Sequence, residues 1–322
     1  MKAAVYYENG GPNVFRYEEV ADPVPSSAEI LVRVEAVSIE GGDTLNRLGG
    51  PLTTVPHIVG YQNAGTVVAV GDDVHDFEVG DRVVAVAFHG SHAELRVTYP
   101  LTSWHIPDQL ATEVAACVPV AFGTAHDSLF EFGRLRAGET ALIHAGAGGV
   151  GLAAIQMAKR AGALVLATAS SDDRLARLEE FGLDEGINYS DVDFVAEVRR
   201  LTGGKGADVI LDSIGGSNLQ KSLAALAYRG RCITFGNAGR EEPSLSDVSG
   251  LVNNNQSLSG YFLGPELFVS TRAHEMIDQI LRDVAAGELK VIIDQRFALA
   301  DAEEAHAYIE GRRAVGRVLL IP

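Results

Sequence analysis

The sequence has few of the residues that build disulfide or thiolate-metal scaffolds. It contains two cysteines in 322 residues, Cys117 and Cys232, and they form no CxxC spacing. Neither a disulfide framework nor a cysteine metal site can be built from them, so both are expected to be small core residues. The segment Met1–Tyr7 becomes polar too early for a secretory signal peptide, which predicts a cytoplasmic protein.

The chain also has too little positive charge for a nucleic-acid or membrane-surface protein. Lysine and arginine number 26 against 43 aspartates and glutamates, giving a formal net charge of −17. This charge repels nucleic acid and anionic lipid, so we expect neither as a partner. An anionic ligand would therefore have to bind at a local arginine or lysine cluster.

One uncharged stretch approaches the length of a membrane span, but glycines interrupt it. Thr140–Ala158 contains the run Gly146-Ala147-Gly148-Gly149-Val150-Gly151, which would break a lipid-facing helix. The run follows an apolar strand-like segment and precedes a helical pattern, the context in which G-x-G-x-x-G indicates a dinucleotide site. In that reading Gly146 permits the turn, Gly148 lets a pyrophosphate approach, and Gly151 lets the helix lie close to the strand. The alternative is a glycine-rich turn that only packs a helix closely.

The first third of the chain is typical of a compact, barrel-like β domain. Short strands are predicted at Ala28–Ile39, Ala64–Val70, Phe77–Val79 and Arg82–Phe88, with Gly-Asp turns between them. Thr112–Leu129 is predicted to be helical and broken at Pro119.

From about residue 123 the pattern changes to alternating strands and helices, as in a doubly wound parallel sheet. The predicted strands are Ala141–His144, Leu164–Ala169, Gly186–Tyr189, Asp208–Asp212 and Cys232–Phe235, with a possible edge strand at Ser257–Phe262. The apolar run in Arg317–Ile321 predicts a closing strand that completes the first domain. The predicted fold is therefore α/β: a catalytic β-barrel domain from residues 1–122 and 260–322, with a dinucleotide-binding Rossmann domain from residues 123–259 inserted.

The end of the second predicted strand of that inserted domain favours NADPH over NADH. An NAD site usually has an acidic residue there for the ribose 2′-hydroxyl, whereas this strand ends in Ala169-Ser170-Ser171. A 2′-phosphate would meet hydroxyl donors and could pair with Arg174. Asp172 and Asp173 leave an alternative open, since either could bind a ribose hydroxyl or repel a 2′-phosphate.

Motifs spread over nearly the whole chain resemble one family. They are Gly10-Gly11-Pro12, Asp43 with Arg47, Gly65 and Gly71, Gly80–Val83, Arg136–Glu139, the glycine run, Asp212–Gly216, and Gly260–Leu263. Together they are similar to the zinc-free quinone oxidoreductase branch of the medium-chain dehydrogenase/reductase superfamily. The resemblance implies that the first domain is GroES-like.

The resemblance also implies that no catalytic metal is bound. Zinc-dependent members hold their metal at positions that read Glu40, Tyr61-Gln62 and about Val120 here, and their four-cysteine lobe is missing. His89-x-x-His92 is the best remaining metal-like spacing, but it has no third partner nearby in sequence. We expect both histidines to be surface or packing residues.

The resemblance assigns site residues on both domains. Tyr189 and Arg312 occupy places that complete the 2′-phosphate pocket in NADPH-using relatives, and Thr124, Asn237, Phe262 and Leu263 should flank the nicotinamide. The substrate face should carry Glu40, Asp43, Asn46, Arg47 and Tyr61. Of these residues, Glu40, Tyr61 and Thr124 are the candidates for a role in catalysis.

The chain departs from the family pattern on the substrate face. Glu40 stands where an asparagine is usual, and Leu45 where a tyrosine is usual. Tyr61 could donate a hydrogen bond to substrate and Glu40 could relay protons if burial raised its pKa. Alternatively Tyr61 is a packed aromatic, and Glu40 is paired with Arg47 or a backbone donor.

The function implied is an NADPH-dependent, metal-independent reductase of small electron-poor substrates, quinones or α,β-unsaturated carbonyl compounds. A reductase of carbonyls or enoyl thioesters is the alternative, and a non-catalytic NADPH-binding protein is a third reading. The predicted edge strand, together with the resemblance, suggests a homodimer.

Overall fold

The computed structural model describes residues 1–242 and 245–322. The chain divides into two compact units, one formed by Met1–Gly123 with Leu263–Pro322 and the other by Thr124–Phe262. Among the described helices, none is long and apolar enough to cross a membrane. The cytoplasmic location stays a prediction.

Strands and helices alternate from β8 to β13, whereas the first part of the chain is mostly strands. The strands are β1 Lys2–Val5, β2 Arg16–Glu19, β3 Ile30–Ser38, β4 Gln62–Val70, β5 Arg82–Val86, β6 Leu95–Thr98, β7 Ser103–His105, β8 Thr140–Ile143, β9 Leu164–Ala169, β10 Glu185–Asn188, β11 Ala207–Asp212, β12 Leu226–Thr234, β13 Ser257–Gly260, β14 Ile293–Ala298 and β15 Arg317–Ile321. The α-helices are α1 Gly41–Gly49, α2 Thr112–Ala115, α3 Pro119–His126, α4 Gly149–Arg160, α5 Asp172–Glu179, α6 Phe194–Leu201, α7 Gly216–Ala225, α8 Ser249–Asn253, α9 Leu263–Val269, α10 Thr271–Ala285 and α11 Ala302–Glu310. A π-helical segment, Asp127–Phe132, continues α3.

The first unit is organised by a largely antiparallel sheet in the order β14-β15-β3-β4-β5-β7, with β6 also pairing to β3. Ile30, Val32 and Val34 alternate into its core, as the sequence predicts. The last strand of the chain lies antiparallel to β3, with Leu319 opposite Ser38. Arg317–Ile321 is therefore a strand within the sheet of the first unit.

The second unit contains a six-stranded parallel sheet in the order β10-β9-β8-β11-β12-β13. The order reverses between β8 and β11, which is the switch point of a doubly wound sheet, where ligands bind outside the carboxyl ends of the strands. The predicted Rossmann architecture is confirmed. Ser257–Gly260 forms the edge strand β13, which pairs only with β12 among the described strands.

The pattern of apolar residues did not predict the structure of two segments, one a loop that packs on the core and one an exposed strand. Phe77–Val79, predicted as a strand, is a loop in which Phe77 packs against the buried cluster of Ile30 and Val67. Phe77 is therefore apolar because it packs on the core, although the segment forms no strand. Conversely, the mostly polar segment Arg16–Glu19 forms β2. It pairs with β1 in a two-stranded ribbon, and its side chains are largely exposed, so they need not be apolar.

Candidate functional site

The glycine run forms the turn between β8 and α4. Gly146 donates its backbone N–H to Thr168 O at 2.9 Å, and Gly148 donates to Ala145 O at 2.9 Å. Gly148 is the N-cap of α4, and no side chain caps this end. The first-turn N–H groups of a helix have no intrahelical partner, so this end of α4 presents donors suited to a phosphate.

Two glycines of this run permit close packing, and the left-handed residue of the turn is one that the sequence did not indicate. A Cβ on Gly146 would lie 2.8 Å from Ala167 Cβ, and one on Gly151 would lie 2.5 Å from Ala145 O. The backbone with positive φ belongs to Ala145, at 51°. The role predicted for Gly146 is therefore corrected: it lets the turn lie close to β9, Gly151 lets α4 lie close to the turn, and Ala145 has the left-handed backbone of the turn.

Three of the four residues predicted to bind a 2′-phosphate, Ser170, Arg174 and Tyr189, lie near the ends of β9 and β10. Tyr189 donates its backbone N–H to Ala169 O at 3.1 Å, which places it beside Ser170. Arg174 lies in the first turn of α5 and is half-buried. The nearby carboxylate of Asp172 accepts a hydrogen bond from Asn188 Nδ2 at 3.2 Å, so it is held by the end of β10.

Asn237, predicted to flank the nicotinamide, carries a buried acceptor. Its Nδ2 donates to Glu241 O at 3.0 Å. Within the described part of the chain its Oδ1 is buried and has no hydrogen-bond partner. A buried acceptor without a donor is costly unless a ligand supplies one. This oxygen and the glycine turn fit a bound dinucleotide.

The other predicted cofactor residues are spread over both units. Thr124 is buried in α3, and Phe262 is exposed just after β13 in the same unit. Leu263 and Arg312 belong to the first unit. Leu263 is buried and packs close to Gly123, whereas Arg312 is exposed just after α11 with a φ of 54°. Their cofactor roles stay predictions.

A buried polar cluster on the first unit contains most of the predicted substrate-face residues. Glu40 caps α1, and Asp43 returns the bond by accepting from the Glu40 backbone N–H at 2.8 Å. Asp43 also accepts from the Tyr61 backbone N–H at 3.1 Å. Burial raises the pKa of the Asp43 carboxyl to about 8, with the neighbouring Glu40 charge adding to the shift. This capping box therefore holds the backbone of Tyr61, the residue just before β4.

Hydrogen bonds join the three positions at which zinc-dependent relatives place their ligands. Glu40 accepts from Gln62 Nε2, and Gln62 Oε1 accepts from the Val120 backbone N–H at 3.0 Å. The sequence suggested Arg47 or a backbone donor as the partner of Glu40; the structure gives it a backbone donor in the capping box and an ion pair with Arg317. Burial raises the pKa of Glu40 and Arg317 opposes that shift. The Glu40 carboxylate is thus bound by the Gln62 amide and the Arg317 guanidinium.

Arg47 serves the packing of its own unit. It is 0% exposed, donates Nε to Gly10 O at 3.1 Å and pairs with Glu310. Its guanidinium also lies 5.9 Å from the centre of the Phe15 ring. The Arg47 side chain is therefore turned into the protein core, which corrects its predicted place on a substrate face.

Tyr61 is the predicted residue whose polar tip is best placed for a ligand. Asn46 Nδ2 donates to the Tyr61 hydroxyl at 3.2 Å, which leaves the phenolic hydrogen available for donation. Burial, and then Asp43 and Glu40, raise the pKa of Tyr61 to about 12, so the phenol stays protonated. A Cβ on Gly42 would lie 2.3 Å from the Tyr61 ring, so Gly42 is needed beneath it.

Arg96 holds the loops around Tyr61 from inside. It is 2% exposed and donates to the backbone oxygens of Gly60, Tyr61 and His89, and to Asn63 Oδ1 at 2.7 Å. Burial lowers the pKa of Arg96 to about 9. Because one guanidinium donates to carbonyl oxygens of both segments, Arg96 links the segment of Gly60 and Tyr61 to the segment of His89. The sequence offered no signal for this role.

The two histidines of the His89-x-x-His92 spacing have different neighbours in the structure. His92 Nε2 is 3.0 Å from His306 Nε2, and burial lowers the pKa of His92 to about 3. The His89 ring lies 5.8 Å from the His57 ring, centre to centre, and burial lowers the pKa of His89 as well. Within residues 1–242 and 245–322 no group of three or more His, Cys, Asp or Glu side chains could hold a metal ion.

Comparison with known proteins places the chain among alcohol dehydrogenase-like folds. Family models for the alcohol dehydrogenase GroES-like domain and for zinc-binding dehydrogenases match residues 26–102 and 149–282. The chain is 36% identical to a quinone oxidoreductase of Pseudomonas aeruginosa, with 97% of both chains covered. It is 33% identical to a 2-haloacrylate reductase of a Burkholderia species, covering 100% of this chain and 99% of that one. The Escherichia coli quinone oxidoreductase complexed with NADPH superposes with a TM-score of 0.94 at 29% identity, covering 100% of both chains.

Proposed function

Because the chain belongs to the zinc-free quinone oxidoreductase branch of the medium-chain dehydrogenase/reductase superfamily, we propose that it is an NADPH-dependent, metal-independent reductase of quinones or α,β-unsaturated carbonyl compounds. The single observation that carries the proposal is the end of β9. It has no acidic residue, Tyr189 is hydrogen-bonded to it, and Arg174 lies in the first turn of the helix that follows. NADPH would supply the hydride when bound, and the uncapped N-terminus of α4 would hold its phosphates.

The substrate proposal rests on relatives and on the chemistry of the polar cluster. One relative is named for a 2-haloacrylate, an electron-poor alkene, and another for a quinone. Both classes accept a hydride without a Lewis acid, because their own electron-poor bonds already stabilise the charge. Glu40 is engaged by Arg317 and Gln62, so we assign it to positioning the cluster and not to proton transfer.

Tyr61 is the group that we propose to contact the substrate oxygen. The Asn46 amide orients its hydroxyl, and the raised pKa keeps the phenol in its donor form. A positioned donor stabilises the oxygen that gains charge as the hydride arrives. Solvent then supplies the proton to carbon or oxygen of the product.

Tyr61→Phe is expected to lower kcat about tenfold to hundredfold, with little change in the KM for NADPH, since one donor to a developing oxyanion is lost. Tyr308→Phe is the matched control, because Tyr308 donates to Asp294 at 2.8 Å elsewhere in the same unit. Steady-state kinetics with a quinone measure both variants. A kcat in Tyr61→Phe equal to that of the control would remove Tyr61 from the chemistry.

The activity itself is tested by following NADPH absorbance with quinones, 2-alkenals, 2-haloacrylate, enoyl thioesters and simple ketones, each with and without a metal chelator. We expect oxidation with the first three classes and no effect of the chelator. Preference for enoyl thioesters or simple ketones would support the alternative activity. Loss of activity on chelation would contradict metal independence, and no turnover despite NADPH binding would favour a non-catalytic role.

We also propose a homodimer that extends the parallel sheet through β13. This strand is at the edge of its sheet, and an uncovered edge presents unpaired N–H and C=O groups to a second chain. A monomeric mass by light scattering at micromolar concentration would contradict this assembly.

A further inference from the structure

A buried hydrogen-bonded chain lies beneath the glycine turn. His144 follows β8 directly and is 3% exposed. Its Nδ1 is 3.0 Å from Thr168 Oγ1 on β9, and its Nε2 is 3.0 Å from Ser222 Oγ on α7. Ser222 in turn donates to Asp212 Oδ2, at the end of β11, over 2.7 Å. One imidazole therefore connects the carboxyl ends of three adjacent strands.

One arrangement of hydrogens satisfies every group of this chain. Asp212 Oδ1 accepts from the backbone N–H groups of Ile214 and Gly215 at 2.8 and 2.9 Å, and its Oδ2 accepts from Ser222 at 2.7 Å and from Asn218 Nδ2 at 3.1 Å. In this arrangement the Ser222 hydroxyl donates to the Asp212 carboxylate, and its Oγ accepts from His144. His144 then carries its hydrogen on Nε2, and its bare Nδ1 accepts from the Thr168 hydroxyl. Burial lowers the pKa of His144, which is consistent with a neutral ring.

The ends of this chain are the segments that would contact the cofactor. Thr168 also accepts, through its backbone oxygen, the Gly146 N–H of the glycine turn at 2.9 Å. At the other end, Asp212 holds the loop of Gly215, and a Cβ on Gly215 would lie 3.1 Å from Asn237 Oδ1. The His144 side chain thus sets the spacing between the turn and the loop that packs on Asn237.

We propose that His144, as its neutral Nε2–H tautomer, is a positioning residue that holds the glycine turn and the loop after β11 in the geometry that binds the dinucleotide. The inference rests on the proposed NADPH dependence. The hydrogen bonds of His144 are made within the chain, so its tautomer can be measured in the cofactor-free protein.

The test combines a direct binding measurement with a spectroscopic one. His144→Ala is expected to raise the Kd for NADPH, and for 2′-phospho-ADP-ribose without the nicotinamide, about tenfold or more, the effect of losing one buried hydrogen bond. His144→Gln keeps a donor near the Nε2 position and should restore part of this affinity. His144→Asn cannot reach Ser222 and should not. Ser222→Ala and Thr168→Val, which delete single hydroxyls, should also weaken binding and serve if His144→Ala does not fold.

Thr140→Val is the matched control, since Thr140 is a buried hydroxyl residue at the opposite end of β8; its Kd should equal that of the wild type. Long-range ¹H–¹⁵N spectra of the cofactor-free protein, with His144 assigned by its loss in His144→Gln, should show hydrogen on Nε2 and none on Nδ1. Unchanged Kd values in the His144 and Ser222 variants, or an Nδ1–H ring, would overturn the inference. Wild-type protein that binds no NADPH, with the Nε2–H ring observed, would instead contradict the proposed cofactor and remove the binding role of His144 with it.

Discussion

Arg317→Met is expected to lower the free energy of unfolding by about 3–5 kcal/mol, because it leaves the carboxylate of Glu40 buried without its cation. Both side chains of this pair are almost inaccessible, at 7% and 6% exposed. Arg317 also donates to Ser38 Oγ at 2.7 Å and to Ile39 O at 3.0 Å, so the change removes several charge-assisted bonds at once. Denaturant titration of the wild-type and variant proteins measures the difference.

Two companion variants make this expectation specific to the buried pair. Glu40→Gln/Arg317→Met removes both charges and should recover a large part of the loss, since an uncharged pair leaves no buried charge. Arg296→Met breaks an exposed pair with Glu113, 2.7 Å apart, and should cost at most about 1 kcal/mol. A single Arg317→Met variant as stable as Arg296→Met would show that Glu40 is neutral or solvated.

Arg174→Ala is expected to lower kcat/KM for NADPH about tenfold to hundredfold while leaving NADH use nearly unchanged. A guanidinium bound to a phosphate makes charge-assisted hydrogen bonds, each stronger than a neutral one, and NADH has no 2′-phosphate to receive them. Arg174 is half-buried in the first turn of α5, next to the strand ends that carry Ser170 and Tyr189. Initial rates with both cofactors, at a fixed saturating substrate concentration, give the two ratios.

Arg177→Ala is the matched control for this cofactor test. Arg177 lies on the same helix, three residues further on, and is exposed. Both variants remove one positive charge from α5, so a general electrostatic effect would change them equally. A wild type that prefers NADH, or an Arg174→Ala variant that loses both cofactors in parallel, would contradict the assignment and favour binding of a ribose hydroxyl by Asp172 or Asp173.

The elements predicted best from the sequence are those with strong local signals. Leu164–Ala169 and Arg317–Ile321 were predicted with their observed bounds, because each is a short apolar run between polar or glycine-containing turns. The break in the helical region before Pro119 was predicted from proline stereochemistry. Phe77–Val79 was wrong because an apolar loop residue that plugs a core has the same local composition as a strand.

The sequence alone determined that a glycine turn joins a strand to a helix in a parallel α/β domain and that the next strand ends without an acid. These features are read within about thirty residues, over which periodicity and turn chemistry act. Only the tertiary structure decided the partners of the buried charges. Glu40 and Arg317 lie 277 positions apart, and they meet because β15 pairs with β3. Nothing local encodes that register, so sequence reasoning proposed Arg47 and overlooked His144, whose partners lie 24 and 78 residues away.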